Sequence, residues 1–299
     1  MITVIGSVNM DLIATTPRLP EPGETVSGTD FTTAQGGKGA NQALAAQRAG
    51  AAVKMCGAVG NDSFATEALA LLEDAGTDLG LVRHIEGPTG TALILVGGDG
   101  ENMIAVIPGA NGHVTAEDAD QAVAAMAASD TLVLQMEIPA AAIEAALKAA
   151  KTRSVRSILN IAPLTDAVER LAPLADIVIA NETEFSRLSG RPAETLALAR
   201  DEVEALHART GQCLIVTLGG DGVLWAKDGQ VEHVASLKIK PVDTVGAGDT
   251  FCGYLAQGLD AGMDFATAVR RAAVAGALAC LKPGAQPSIP LSGEVDARL

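Results

Sequence analysis

The sequence predicts an α/β protein of three layers, helices covering both faces of a mostly parallel sheet, with a small second β-sheet placed as a lid. Three observations carry this expectation. From about residue 116 onward, short apolar runs alternate with Ala-rich helical stretches, the pattern of strands buried on both faces and joined by crossover helices. Two β-rich excursions, near residues 8–33 and 90–107, interrupt that alternation. The 299 residues suit one large α/β domain, and no linker, repeat or low-complexity tract divides them. Residues 1–299 are therefore read as a single domain, with a lid formed from about 8–33 and 90–107.

The elements follow in order. Residues 2–6 are an apolar run ending in Gly, a core strand. Residues 39–49 are Ala-rich and stop at Gly50, a helix with its usual terminator. A strand is expected over 53–59 and a helix over 62–75, with Asp62 or Ser63 as cap. The β-rich pieces lie near 8–15, 24–33, 81–85, 91–96 and 102–107. The last two form a hairpin around Gly97-Gly98-Asp99-Gly100. Beyond them the pattern predicts helices over 116–128, 139–151, 182–189, 193–209, 247–261 and 264–281. Strands are predicted over 131–135, 157–161, 176–180 and 213–217, and a hairpin over 222–235.

Composition narrows the function. Hydrophobic residues at 48% and charged residues at 19% describe a globular chain. The net charge of −15 argues against a nucleic-acid partner, which needs clustered Lys and Arg. It leaves open a small phosphorylated ligand held by backbone N–H groups. The Met-Ile-Thr-Val-Ile-Gly start is unlike a signal peptide, and no apolar run reaches the ~20 residues needed to span a bilayer. A cytoplasmic protein without a membrane partner is expected. The four cysteines are scattered and read as buried thiols, and the four histidines lack metal-ligand spacing.

Generic nucleotide motifs fail. Around Gly37-Lys38 the preceding Gly and following Ser/Thr of a Walker loop are absent. Gly246 to Phe251 begins like a dinucleotide fingerprint but ends in Phe and carries Asp249 inside the loop. That segment, Asp243-Thr244-Val245-Gly246-Ala247-Gly248-Asp249, is the one with chemistry in it. Small residues ahead of a helix let N–H groups converge where the helix end is electropositive, a setting for a transferring phosphoryl group. Asp249 in the first turn is placed to take a proton from an attacking hydroxyl. A tight turn with an acidic cap would use the same residues. Gly36 to Gln42 offers close backbone approach and the donors Lys38 and Asn41. Asn9 and Asp11, two apart on an extended chain, share one side and suit a polyol. Asn181-Glu182-Thr183-Glu184 closes a strand and opens a helix, where carboxylates serve either the helix dipole or hydrated Mg²⁺.

Gly36-Gly37-Lys38-Gly39-Ala40-Asn41 resembles the N-terminal signature of the ribokinase-type carbohydrate kinases. Asp243 to Asp249 resembles their C-terminal signature, and the similarity runs from about Val4 to Pro290. Gly6–Asp11, Gly100–Met103, Pro108–Asn111 and Lys282–Ser288 extend it. The resemblance implies transfer of phosphate from ATP to the 5-hydroxyl of D-ribose. Asn9, Asp11, Gly37, Lys38, Asn41 and Glu137 would contact the sugar, and Asp249 would be the base. The N–H groups of Gly246, Ala247 and Gly248 would form the anion hole. Asn181, Thr217, Leu218, Gly219, Gly220, Asp221, Gly222, Gly248 and Ala273 would hold ATP. Glu184 would organise Mg²⁺ through water. Asp243, Val245, Ala279, Lys282, Gly284 and Ser288 would bind a monovalent cation, K⁺. The β lid would cover the sugar and mediate a homodimer. Gly246 stands where the family admits other small residues. With 2% aromatic residues, adenine would rest on aliphatic contacts near Ala273 and Gly276. Another sugar or nucleoside kinase of this family, such as a deoxyribokinase or fructokinase, and a sugar-binding regulator without turnover are the alternatives.

Overall fold

The structure is a computed structural model that describes residues 1–299. The chain opens with β1 (Ile2–Ile5), β2 (Asn9–Thr15) and β3 (Asp30–Gly36), which leads into α1 (Lys38–Arg48). Next come β4 (Val53–Gly60), α2 (Ser63–Asp74), β5 (Asp78–Ile85), β6 (Gly90–Val96) and β7 (Asn102–Ile107). The alternating part comprises α3 (Ala116–Ala124), β8 (Thr131–Leu134), α4 (Ala140–Arg153), β9 (Arg156–Asn160) and α5 (Val168–Leu171). It continues through β10 (Ile177–Asn181), α6 (Glu182–Ser189), α7 (Leu196–Thr210), β11 (Cys213–Thr217), β12 (Val223–Lys227) and β13 (Gln230–Val234). The chain closes with α8 (Ala247–Asp260), α9 (Phe265–Ala279), α10 (Ala285–Ser288) and α11 (Ser292–Asp296).

Nine strands form one sheet in the order β13-β12-β11-β10-β9-β8-β1-β4-β5. All pairs are parallel except β11–β12 and β12–β13, so the expected C-terminal hairpin finishes one edge. The inner strands are mainly apolar because both their faces are covered, whereas the edge strands β5 and β13 are partly exposed and carry polar residues. Ile177 and Ile179 pack on one side with α1, α2, α8 and α9, whereas Val178 and Ala180 pack on the other with α3, α4 and α7. Local signals set the helix starts. Asp62 accepts the Ala65 N–H at 3.1 Å, and Thr115 and Asp118 close a reciprocal capping box. Helix α7 begins at Leu196 rather than 193, because Thr195 caps it and Ala193 is drawn into the core.

The second sheet, in the order β3-β2-β6-β7, has four strands that fall in the two β-rich excursions. Its first hairpin departs from the expected bounds. Residues 24–29 are not strand, and β3 extends to Gly36. The seven residues of β2 pair one-to-one with Asp30–Gly36, and Pro20, Pro22 and the Arg18–Glu24 ion pair shape the preceding loop. The short helices α5, α10 and α11 have no periodicity long enough to announce them. No helix is long and apolar enough to cross a membrane.

The chain runs outward from β1 through β4 to β5, then crosses back to β8 and continues the other way. A sheet with such a reversal opens a crevice at the carboxyl ends of its strands. Gln135 and Glu137 after β8, Asn160 at the end of β9, Asn181 at the end of β10 and Thr217 at the end of β11 all lie along that rim.

Candidate active site

Helix α8 starts at the rim, and its first turn carries Asp249, only 6% exposed. Helix α1 holds the carboxylate from the other side. Asn41 Nδ2 donates to Asp249 Oδ2 and Gln42 Nε2 to Asp249 Oδ1, each at 2.9 Å. Ahead of Asp249 the N–H groups of Gly246 and Gly248 have no backbone acceptor, and neither does that of Asp249 itself. The Ala247 N–H points back to the Thr244 carbonyl at 3.3 Å, so the free donors are not the trio expected from the sequence. Gly246 is constrained more tightly than the family comparison suggests. Its φ is 75°, and a Cβ there would lie 2.9 Å from the Ala285 Cα.

A group of like charges surrounds this point. Burial, reinforced by Glu137 and Asp249, pushes the Asp11 carboxyl up to about 7. Asp249, then Glu137 and Glu184, hold the Lys38 ammonium above its ordinary value against the opposing effect of burial. Burial likewise raises Glu184, with Asp249 and Glu182 adding to it and the Asn181 N–H and Lys38 opposing. Glu137 Oε2 accepts from Ser7 Oγ at 2.5 Å and from the Lys38 N–H at 3.0 Å, which ties β8 to the glycine loop at Gly37. Asn9 is buried, its Oδ1 accepting from Asn111 Nδ2 at 2.7 Å.

Beside Asp249 lies a cavity of about 750 Å³, within the range that holds nucleotide-sized ligands. Asn181, Glu184, Thr217, Gly219, Gly220 and Gly222 line it, as do Gly246, Ala247, Gly248 and Lys38. Ala273, Gly276, Leu237, Ile239 and Pro241 supply the aliphatic wall that the low aromatic content predicts. Two members of the expected nucleotide run do not line the cavity. Leu218 is buried in the core, and Asp221 is exposed, its carbonyl accepting from His233 Nε2 at 2.6 Å. Cys56, Cys213 and Cys252 are buried as expected, but Cys280 is half-buried and lines the cavity.

Two loops meet next to the start of α8. Asp243 Oδ2 accepts the Gly284 N–H at 2.8 Å and Oδ1 accepts the Val245 N–H at 3.0 Å. The Val242 and Asp243 N–H groups both reach the Cys280 carbonyl. Asp243 therefore acts as a staple between the loops, bringing the Val245, Gly284 and Ser288 segments together. Ser288 Oγ donates to the Ala285 carbonyl, and the Ala279 carbonyl accepts from the Lys282 N–H at 3.4 Å.

Reading the sequence missed Gln42 as a partner of Asp249, and also Asn160, Gln135 and the 236–241 wall. The rule that singled out Asn181, a polar residue closing an apolar strand, finds Asn160 and Gln135 equally well. Nothing local marks 236–241.

The pattern of the pfkB family carbohydrate kinases matches residues 1–291. The chain belongs to that family. It is 38% identical to a ribokinase of Bacillus subtilis over 298 residues, covering 99% of this chain and 98% of the other. It is 34% identical to a deoxyribokinase of Salmonella typhi over 291 residues, covering 97% and 95%. A solved ribokinase of Arabidopsis thaliana, complexed with ribose and ATP, superposes with a TM-score of 0.88 at 32% identity, covering 99% and 97%.

Proposed function

We propose that the protein transfers the terminal phosphoryl group of ATP to the 5-hydroxyl of D-ribose, giving D-ribose 5-phosphate and ADP. The observation that carries this reading is the Asp249 carboxylate, held by two amides of α1 at the mouth of a nucleotide-sized cavity and beside unpaired N–H groups of α8. Asp249 takes the proton as the sugar oxygen attacks in line, a role worth roughly 10²–10⁴ in rate. The free N–H groups of Gly246 and Gly248 meet the charge that grows on the transferring group. Asn9, Asp11, Gly37, Lys38, Asn41 and Glu137 form the sugar subsite, whose acceptors and donors suit vicinal hydroxyls.

Glu184 is suited to Mg²⁺. Its Oε2 accepts the Asn181 N–H at 2.9 Å, its Oε1 takes no protein donor, and it lines the cavity. Bound there with the nucleotide, the ion neutralises phosphate charge. Asp243, Val245, Ala279, Lys282, Gly284 and Ser288, on the loops that Asp243 staples together, would supply oxygen donors, mostly carbonyls, to K⁺. The small sheet serves as a lid that excludes water, and a second copy of the chain covers it. Strand β7 is exposed throughout, with Met103 and Ile104 both more than half exposed, an apolar edge that a lone chain leaves in water. Four free thiols suit the reducing cytoplasm.

The test is ADP release measured with D-ribose, 2-deoxyribose, fructose and adenosine, each with and without K⁺. D-Ribose is expected to have the highest kcat/KM, with K⁺ stimulating. Asp249→Asn is expected to fold and to lose at least about 10² in kcat. A preference for 2-deoxyribose would move the assignment to the deoxyribokinase branch. Sugar binding without ADP release would make the protein a regulator.

A further inference from the structure

We propose that Gln135 and Gln42 form a directional amide relay that fixes the plane of the Asp249 carboxylate, so that Gln42 is a positioning residue for phosphoryl transfer. This rests on the reading of Asp249 as the base. An ionised carboxylate only accepts hydrogen bonds. Gln42 must therefore turn its NH₂ toward Asp249, and its Nε2 lies 2.9 Å from Asp249 Oδ1. The same nitrogen lies 3.2 Å from Asn160 Oδ1, and Asn160 Nδ2 donates in turn to the Ile179 carbonyl. With its nitrogen committed, Gln42 presents Oε1 on the other side, where Gln135 Nε2 donates at 2.8 Å. Gln135 Oε1 finds no partner and lies against Gly6, where a Cβ would come within 2.0 Å of it. The polarity of the carboxylate thus dictates the orientation of two side chains in succession.

Both glutamines are fully buried, Gln42 on α1 and Gln135 just after β8, next in sequence to the buried apolar residues Ala40, Ala43, Leu44, Val133 and Leu134. Packing alone would be served by apolar residues, and the orphaned Gln135 oxygen is a cost that such residues avoid. What only the amides supply is a donor locked onto Oδ1. Asn41 already holds Oδ2. With one donor on each oxygen the carboxylate cannot swing, and its remaining lone pairs are left for a hydroxyl in the cavity it lines.

The experiment uses Gln42→Met, Gln135→Met, Gln135→Glu and Asp249→Asn in the full chain. Each is assayed for kcat and KM with D-ribose and ATP, as a ratio to wild type at each pH from 6 to 9. The charged groups that face this cluster are Asp11, Lys38, Glu137, Glu184 and Asp249, and the wild-type profile is the reference for their shared contribution. Gln42→Met is expected to lower kcat by about 10- to 100-fold with the KM for ATP within about twofold. Gln135→Met is expected to lower kcat less, because Gln42 keeps its donor but loses its anchor. Gln135→Glu sets an acceptor against Gln42 Oε1 and favours the flipped amide. Its kcat ratio is expected to fall at high pH and to recover as the introduced carboxyl gains a proton and can donate again. A role in packing alone gives no such recovery.

If Gln42→Met fails to unfold cooperatively, the Gln135 variants decide. Normal kcat in the folded variants with Asp249→Asn inactive overturns the relay alone. Normal turnover by Asp249→Asn overturns the base assignment beneath it.

Discussion

Replacing Asp11 with Asn should stabilise the free protein and weaken its grip on sugar, and the stabilisation should grow with pH. Asp11 sits on β2, half-buried and facing the negative charges of Glu137 and Asp249, and is pushed up from 3.8 to about 7. At 1.36 kcal/mol per unit that rise corresponds to about 4 kcal/mol. The folded state binds this proton more tightly than the unfolded chain. The stability linked to it is therefore complete below pH 3.8 and is drained as pH rises through about 7. Near pH 5.5 about half of the cost has been incurred, and at pH 8 all of it. Asn keeps the shape without the charge. Urea unfolding of wild type and Asp11→Asn should therefore show a stabilisation larger by about 2 kcal/mol at pH 8 than at pH 5.5. In the same variant the KM for D-ribose should rise by far more than that for ATP. A variant equally stable relative to wild type at both pH values, or less stable at pH 8, would refute the account of Asp11 as a half-buried charge held for sugar binding.

Gly246→Ala forces a Cβ into a φ of 75° against Ala285 and should cost about 1–2 kcal/mol, read as a fall in Tm of about 2–4 °C together with a lower kcat. Asp243→Asn replaces one of two acceptors with a donor facing an N–H group. It should weaken half-activation by K⁺ about 10–100-fold with little change in the KM for D-ribose. Ile104→Lys places a charge on the exposed face of β7 and should halve the mass seen by light scattering, whereas an unchanged mass would remove the lid from the dimer interface.

The elements themselves were legible because their signals are local. Apolar runs, Ala-rich periods and caps such as Asp62 act over a few residues, and so do the glycine segments at 36–39 and 246–248. The bounds slipped where pairing or packing decided them. The start of β3 was set by its partner strand, and the start of α7 by Ala193 entering the core. By itself the sequence determined the layered α/β class, the two β-rich excursions and Asp249 at the head of a helix. Only the tertiary structure decided what surrounds Asp249. It committed the Ala247 N–H to Thr244, turned Leu218 inward and Asp221 outward, and brought Gln42, Gln135 and Asn160 into one buried chain. The physical reason is separation along the chain. Asp249 meets Gln42 across 207 positions and Gln42 meets Gln135 across 93, so strand order sets these contacts, and desolvation makes their polarity matter.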